Sequence, residues 1–237
     1  MTTTYYPASE RGHVNFGWLD SHHSFSFGNW HDREKVHFGA LRVLNDDTIK
    51  GGKGFDTHPH ENMEIVTIPI KGALAHKDST GAEGIIYSGD VQIMSAGSGI
   101  SHSEYNASHY DPVTLLQIWI FPKNFGIKPR HDQQTFDPAA RNNKWQIVVS
   151  PRPEDLALKI NQDARLALAR LTTGTTLTFQ RAFPTNGIYF FLLEGQAMID
   201  HQTLYRRDGM GVTSAAECAI RATTDLEVLA IEVPMFA

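Results

Sequence analysis

Two short segments carry residue types that can do chemistry: Thr57-His58-Pro59-His60 and Ser101-His102-Ser103-Glu104. Each offers an i, i+2 pair of metal-ligand side chains. In extended chain, residues i and i+2 project to the same face, so each segment can aim two donor atoms at one point. Two neighbouring strands doing so would make a site of three imidazoles and one carboxylate. A six-coordinate ion held this way keeps open positions for water, substrate or oxygen. That suits redox activation or Lewis-acid work better than a closed structural site. With 12 histidines in 237 residues, one His-x-His is nearly expected by chance, so the surroundings must carry the weight. Both pairs sit in long ordered patterns: Gly52-x5-His58-x-His60-x3-Glu64 before an apolar strand and Gly72, and Gly89-Asp90 through Gly97-Ser98-Gly99 to His102 and Asn106.

The rest of the composition narrows the chemistry. A single cysteine, Cys218, excludes an internal disulfide framework and any cysteine-built zinc or iron–sulfur site within one chain. Cys218 reads as a small buried residue in a strand-like run. The net charge of −5 gives no footprint for direct nucleic-acid binding. With 41% hydrophobic and 20% charged residues, the chain suits a soluble globular protein. No apolar run reaches the ~18 residues of a membrane span. The start, Met1-Thr-Thr-Thr-Tyr-Tyr-Pro7, lacks a secretory pattern, so a cytoplasmic location is expected. Nucleophile elbows, phosphate loops and dinucleotide fingerprints are missing.

Positioning falls to strands. Thr114–Phe121 alternates, with Leu116, Ile118 and Ile120 on one face. Similar runs are Ala40–Leu44, Glu64–Ile70, Val91–Ser95, Trp145–Val149, Arg165–Leu171, Leu177–Arg181, Ile188–Leu193 and Leu226–Val233. Asn45-Asp46-Asp47, Lys50–Gly54 and Lys71-Gly72 read as turns between them, and Pro153–Ile160 as one short helical turn. Many short strands at close spacing indicate an all-β barrel or sandwich.

The pattern also repeats. Glu64–Asp78, an apolar strand, Gly72 and a second strand, resembles Gly187–Asp200 around Gly195. Gly89–Ala96 resembles Asp208–Ala215, and each half closes on a strand ending in Pro122 or Pro234. Two tandem barrels follow, at 1–130 and 131–237, with a polar linker in the region 122–141. Aligning Gly195 on Gly72 puts Arg181 and Phe183 at the places of His58 and His60. Aligning Ser214-Ala215 on Ser95-Ala96 puts Arg221 and Thr223 at those of His102 and Glu104. The barrel therefore does not need histidine there.

These segments resemble the two motifs of cupins, small β-barrels with a metal in the mouth. The spacing departs from the general pattern, with seven residues between Glu64 and Gly72, Ser95 where Pro is usual, and His102 two residues late. His58-Pro-His60-Glu-Asn-Met-Glu64, Met94–Asn106, Arg11–Asp20 and Phe25-Ser-Phe27 resemble the pirin branch, and within it bacterial quercetin 2,3-dioxygenases. The resemblance is strong over 10–122 and looser beyond. It implies an all-β bicupin with one metal, in the first barrel, held by His58, His60, His102 and Glu104. Iron(II) is the ion it implies; nickel, manganese, cobalt, copper or zinc also suit such ligands. General cupins use the residue matching Glu64, pirins the one matching Glu104. Glu64 would then be a carboxylate that orients a ligand imidazole.

The activity implied is opening of the central ring of flavonols such as quercetin with O2, with release of carbon monoxide. Glu104 would take the proton of the flavonol 3-hydroxyl. The alternative is a metal- or redox-sensing regulatory bicupin that binds a transcription factor or metabolic enzyme. His13, His22, His23, His31, His37, His76, His109, His131 and His201 read as ordinary surface or core residues.

Overall fold

The computed structural model describes residues 1–236, and their regular structure is almost wholly strand. The first eleven strands are β1 (Thr2–Tyr6), β2 (Gly12–Asn15), β3 (Leu19–His23), β4 (Leu41–Ile49), β5 (Gly54–His60), β6 (Glu64–Lys71), β7 (Ala73–Asp78), β8 (Glu83–Tyr87), β9 (Asp90–Ser95), β10 (Ile100–Asn106) and β11 (Val113–Ile120). The rest are β12 (Arg130–Thr135), β13 (Gln146–Ser150), β14 (Leu158–Lys159), β15 (Arg165–Leu171), β16 (Thr176–Gln180), β17 (Asn186–Glu194), β18 (Ala197–Ile199), β19 (Gln202–Leu204), β20 (Gly209–Thr213), β21 (Glu217–Ala222) and β22 (Leu226–Pro234). Every alternating run read from the sequence lies within one of these strands to within a residue or two.

Each half builds one large and one small sheet. The first pair runs β12-β9-β6-β11-β4-β3-β2 and β5-β10-β7-β8; the second runs β1-β20-β17-β22-β15-β13-β14 and β16-β21-β18-β19. The inner strands match in order, β9-β6-β11-β4-β3 against β20-β17-β22-β15-β13, as do the two small sheets, so the duplication expected from the sequence is the architecture: a bicupin. Gly72 and Gly195 hold equivalent tight turns at φ of 81° and 84°, in the left-handed region that glycine enters without strain.

The halves do not divide cleanly at residue 130. β1 adds to the second barrel through β20, and β12, expected as linker, adds to the first through β9. Each of these strands satisfies a sheet edge that would otherwise stand unpaired. The large sheets pack back to back. Val66, Ile68, Leu116, Ile118 and Ile120 from one share a buried core with Tyr189, Phe191, Leu229, Ile231 and Val233 from the other. Each such side chain contributes about 1.5–3 kcal/mol on leaving water. Arg11 and Arg207 bridge to Asp46 at 3.4 and 2.8 Å across the same junction.

Asn45-Asp46-Asp47 is not a turn. It lies in the middle of β4, opposite Leu115, Leu116 and Gln117 of β11. Asp46 points to the junction, while Asn45 and Asp47 point into the first barrel. A polar strand interior imitates a turn in sequence because both depart from apolar alternation. Pro153–Asp155 forms only a single 3-10 turn. Among the described residues, no helix is long and apolar enough to cross a membrane.

Candidate metal centre

β5 and β10 run antiparallel, with His102 directly opposite His58 and Ile100 opposite His60. That register, fixed by a two-residue period, puts all three imidazoles on the inner face of the first barrel. Their ring centroids lie 4.4 Å (His58–His102), 4.9 Å (His58–His60) and 4.9 Å (His60–His102) apart. One ring nitrogen from each falls within 4.8 Å of the others. His58 Nδ1 donates to the Asp56 carbonyl at 2.7 Å, which leaves Nε2 with a free lone pair. Burial, with the neighbouring imidazoles adding to it, pushes His60 down to about 4 and His102 to about 3. Both are therefore neutral near pH 7, the form that ligates.

Glu104 follows a bulge in the same ladder, and its carboxylate approaches His102 and His76 within 4.8 Å. It does not close into one group with all three ligand imidazoles at that spacing. Gln117 Nε2 donates to both its oxygens at 2.8 Å, and Thr67 Oγ1 to one at 3.5 Å. Complete burial, with Asp47 nearby, pushes Glu104 up to about 7; burial does the same to Asp47.

These residues line one end of a cavity of about 390 Å³, within the range that suits a small aromatic ligand. Phe16, Phe27, Phe55, Ile65 and Trp119 supply its apolar wall. No lysine or arginine lines it, and its acidic groups are Glu104 and Asp47. Two buried carboxylates without a cation are costly, and both ring nitrogens of His102 are buried with no hydrogen-bond partner. Neutral imidazoles, an orphaned ring and uncompensated acid together fit a divalent cation.

Glu64 does not orient an imidazole. It leads β6 on the opposite face from Ile65 and Thr67, towards the second barrel, where it accepts from Ser95 Oγ at 2.8 Å and from the Asn161 backbone N–H at 3.1 Å. Residues 58, 60 and 64 share parity in sequence, but β5 and β6 belong to different sheets, so the parity does not carry across.

Strand ladders also correct the repeat alignment. β7 pairs Leu74 with Asn106 and His76 with Glu104; β18 pairs Ala197 with Ala222 and Ile199 with Ile220. Counting from the equivalent glycines, Glu104 answers to Ile220 and His102 to Cys218. His58 then answers to Phe179, which faces Cys218 as His58 faces His102. Turns of different length between strands shifted the sequence alignment. The matching places still hold neither histidine nor carboxylate. Phe179, Ile199, Cys218 and Ile220 fill the second barrel with an apolar core.

Several residues read as ordinary belong to the site. His76 is buried between His102, at 5.2 Å, and His131, stacked at 4.9 Å, and its Nε2 lies 3.2 Å from Asp78. His131 meets Gln92 at 2.8 Å. His23 lines the cavity, its Nε2 2.8 Å from Ser21 Oγ, which donates in turn to Asp47. The signal available in sequence was parity: His76 stands opposite Glu104 once β7 and β10 are paired. His13, Asp20 and His22 form a further group on the exposed face of the β2–β3 hairpin, away from the cavity.

Comparison with known proteins shows what the chain is similar to. The Pirin family model matches residues 7–120, and the model for the quercetinase C-terminal cupin domain matches 147–233. Quercetin 2,3-dioxygenase of Escherichia coli K12 is 41% identical over 227 residues, 96% of each chain. A pirin-like protein of Caulobacter vibrioides is 38% identical, covering 95% of this chain and 97% of its own. The crystal structure of the E. coli bacterial pirin YhhW in complex with nickel(II) superposes with a TM-score of 0.93 at 39% identity, covering 99% of this chain and all of that one. The chain belongs to the pirin family.

Proposed function

We propose that this pirin is a metal-dependent dioxygenase that opens the central ring of flavonols such as quercetin with O2 and releases carbon monoxide. One observation carries the reading: three imidazoles and a buried carboxylate close the end of a cavity whose remaining wall is largely apolar and aromatic. The E. coli relative named a quercetin 2,3-dioxygenase supports the substrate class.

His58, His60, His102 and Glu104 would hold the ion, iron(II) by family and nickel(II) by analogy with the E. coli structure. The ion supplies Lewis-acid and redox chemistry for the substrate and oxygen. Glu104 takes the 3-hydroxyl proton, its buried carboxylate lining the cavity beside His102. Gln117 fixes its orientation through both oxygens. Phe27, Phe55, Ile65 and Trp119 cover the flat faces of the rings and keep water away from the deprotonated substrate. Deprotonation makes the central ring electron-rich, which is what its oxidation by O2 requires.

The test is direct. Protein loaded in turn with iron, nickel, manganese and cobalt is given quercetin and oxygen, and carbon monoxide is measured. Production above that of the free ions is expected with at least one metal; none with any of them overturns the proposal.

A further inference from the structure

The first barrel keeps a row of polar side chains that its own fold does not need. Cross-strand pairing sets His23 opposite Asn45, Asn45 opposite Gln117, and Gln117 opposite Thr67. Asp47 lies one step along, opposite Ser21. Asn45, Asp47 and Gln117 are at most 8% exposed and line the cavity. In the second barrel the ladder places Ala167 opposite Ala230, and Ala230 opposite Phe190. By the same count, Asn45 answers to Ala167, Asp47 to Ala169 and Gln117 to Ala230. An alanine row therefore builds this sheet as well as a polar one.

Asparagine and aspartate are disfavoured in strands, and burying their polar atoms without partners is costly. The amide oxygens of Asn45 and Gln117 have no hydrogen-bond partner. Gln117 is accounted for by Glu104. Asp47 is held in place by Ser21, itself braced by His23, through one carboxylate oxygen, which leaves the other for a ligand. Asn45 and Asp47 are thus a buried pair with hydrogen-bonding capacity left over, set in the same cavity as the three imidazoles.

We infer that Asn45 and Asp47, on the wall beside Gln117 and Glu104, form a subsite for substrate hydroxyl groups other than the one that meets the metal. The ligand is then an aromatic bearing several hydroxyls, not merely one able to chelate. This rests on the flavonol reading of the cavity and adds what selects among flavonols. A hydroxyl donates to the free Asp47 oxygen and pairs with the Asn45 amide, groups that a bare phenyl ring would leave unsatisfied.

The experiment compares quercetin with 3-hydroxyflavone, which lacks hydroxyls on its outer rings, by fluorescence titration of metal-loaded protein under argon. The chain is expected to prefer quercetin by tenfold or more, and Asn45→Ala and Asp47→Ala to bring that ratio within about twofold. Both variants copy residues that the second barrel carries, and circular dichroism checks their folding. If one fails to fold, the unmodified chain still decides the matter. Equal affinity for the two compounds means the pair holds only water and overturns the subsite alone, as does a ratio unchanged in the folded variants. Binding of neither compound overturns the flavonol reading together with the subsite.

Discussion

Glu104→Gln separates the roles of base and ligand. The substitution keeps volume and one acceptor. Gln117 Nε2 now donates at 2.8 Å to two oxygens; afterwards one of those contacts becomes N–H against N–H. A hydrogen bond to a charged group contributes about 1.5–3 kcal/mol, but the fully buried carboxylate was itself expensive, so the two changes largely offset. For a chain of 237 residues, 1 kcal/mol moves Tm by about 2–4 °C, so Tm should stay within about 5 °C. The three imidazoles remain, and metal content should stay near one ion per chain. Turnover should fall about 10²- to 10⁴-fold, the usual contribution of a positioned base. Elemental analysis, oxygen uptake and carbon monoxide release on the same sample provide the readout. Turnover within threefold of the parent at equal metal content would refute the assignment of Glu104 as base. Metal and turnover lost in parallel would leave it a ligand only.

Chelation of the ion should lower Tm by about 5–10 °C if the metal is present at ~100 times its Kd, since binding then contributes about 2.7 kcal/mol; differential scanning calorimetry showing no shift would argue against a site in the folded chain. Glu64→Gln should leave metal content unchanged, because Glu64 faces Ser95 and Asn161, not the imidazoles; loss of the ion on elemental analysis would contradict that placement. Burial pushes the Cys218 thiol up to about 11, so at pH 8 only about one thiol in a thousand is ionised, and reactivity rises with pH. Ellman's reagent should label it slowly in the native protein and fast in denaturant; equal rates would show it is not buried.

Much of the fold was readable because β-strands write a period of two into the chain. Leu116, Ile118 and Ile120 declared one face, and Gly72 and Gly195 marked equivalent turns. The pairs His58/His60 and His102/Glu104 were readable for the same reason, since i and i+2 share a side. Sequence failed where polarity replaced alternation. Asn45-Asp46-Asp47 imitated a turn while Asn45 and Asp47 formed the cavity wall and Asp46 the junction, and residues 130–135 imitated a linker while closing a sheet.

The sequence by itself determined the local periodicity, the duplicated order and the short-range pairs His58/His60 and His102/Glu104, all of which depend on local spacing. Only the tertiary structure decided which strands became neighbours. That choice turned Glu64 towards the second barrel, brought His76 against His102, and showed that Cys218 and Ile220 stand where the first barrel has His102 and Glu104. Pairing register is set by long-range burial and by turn lengths, and a change of two residues in a turn is enough to move every correspondence beyond it.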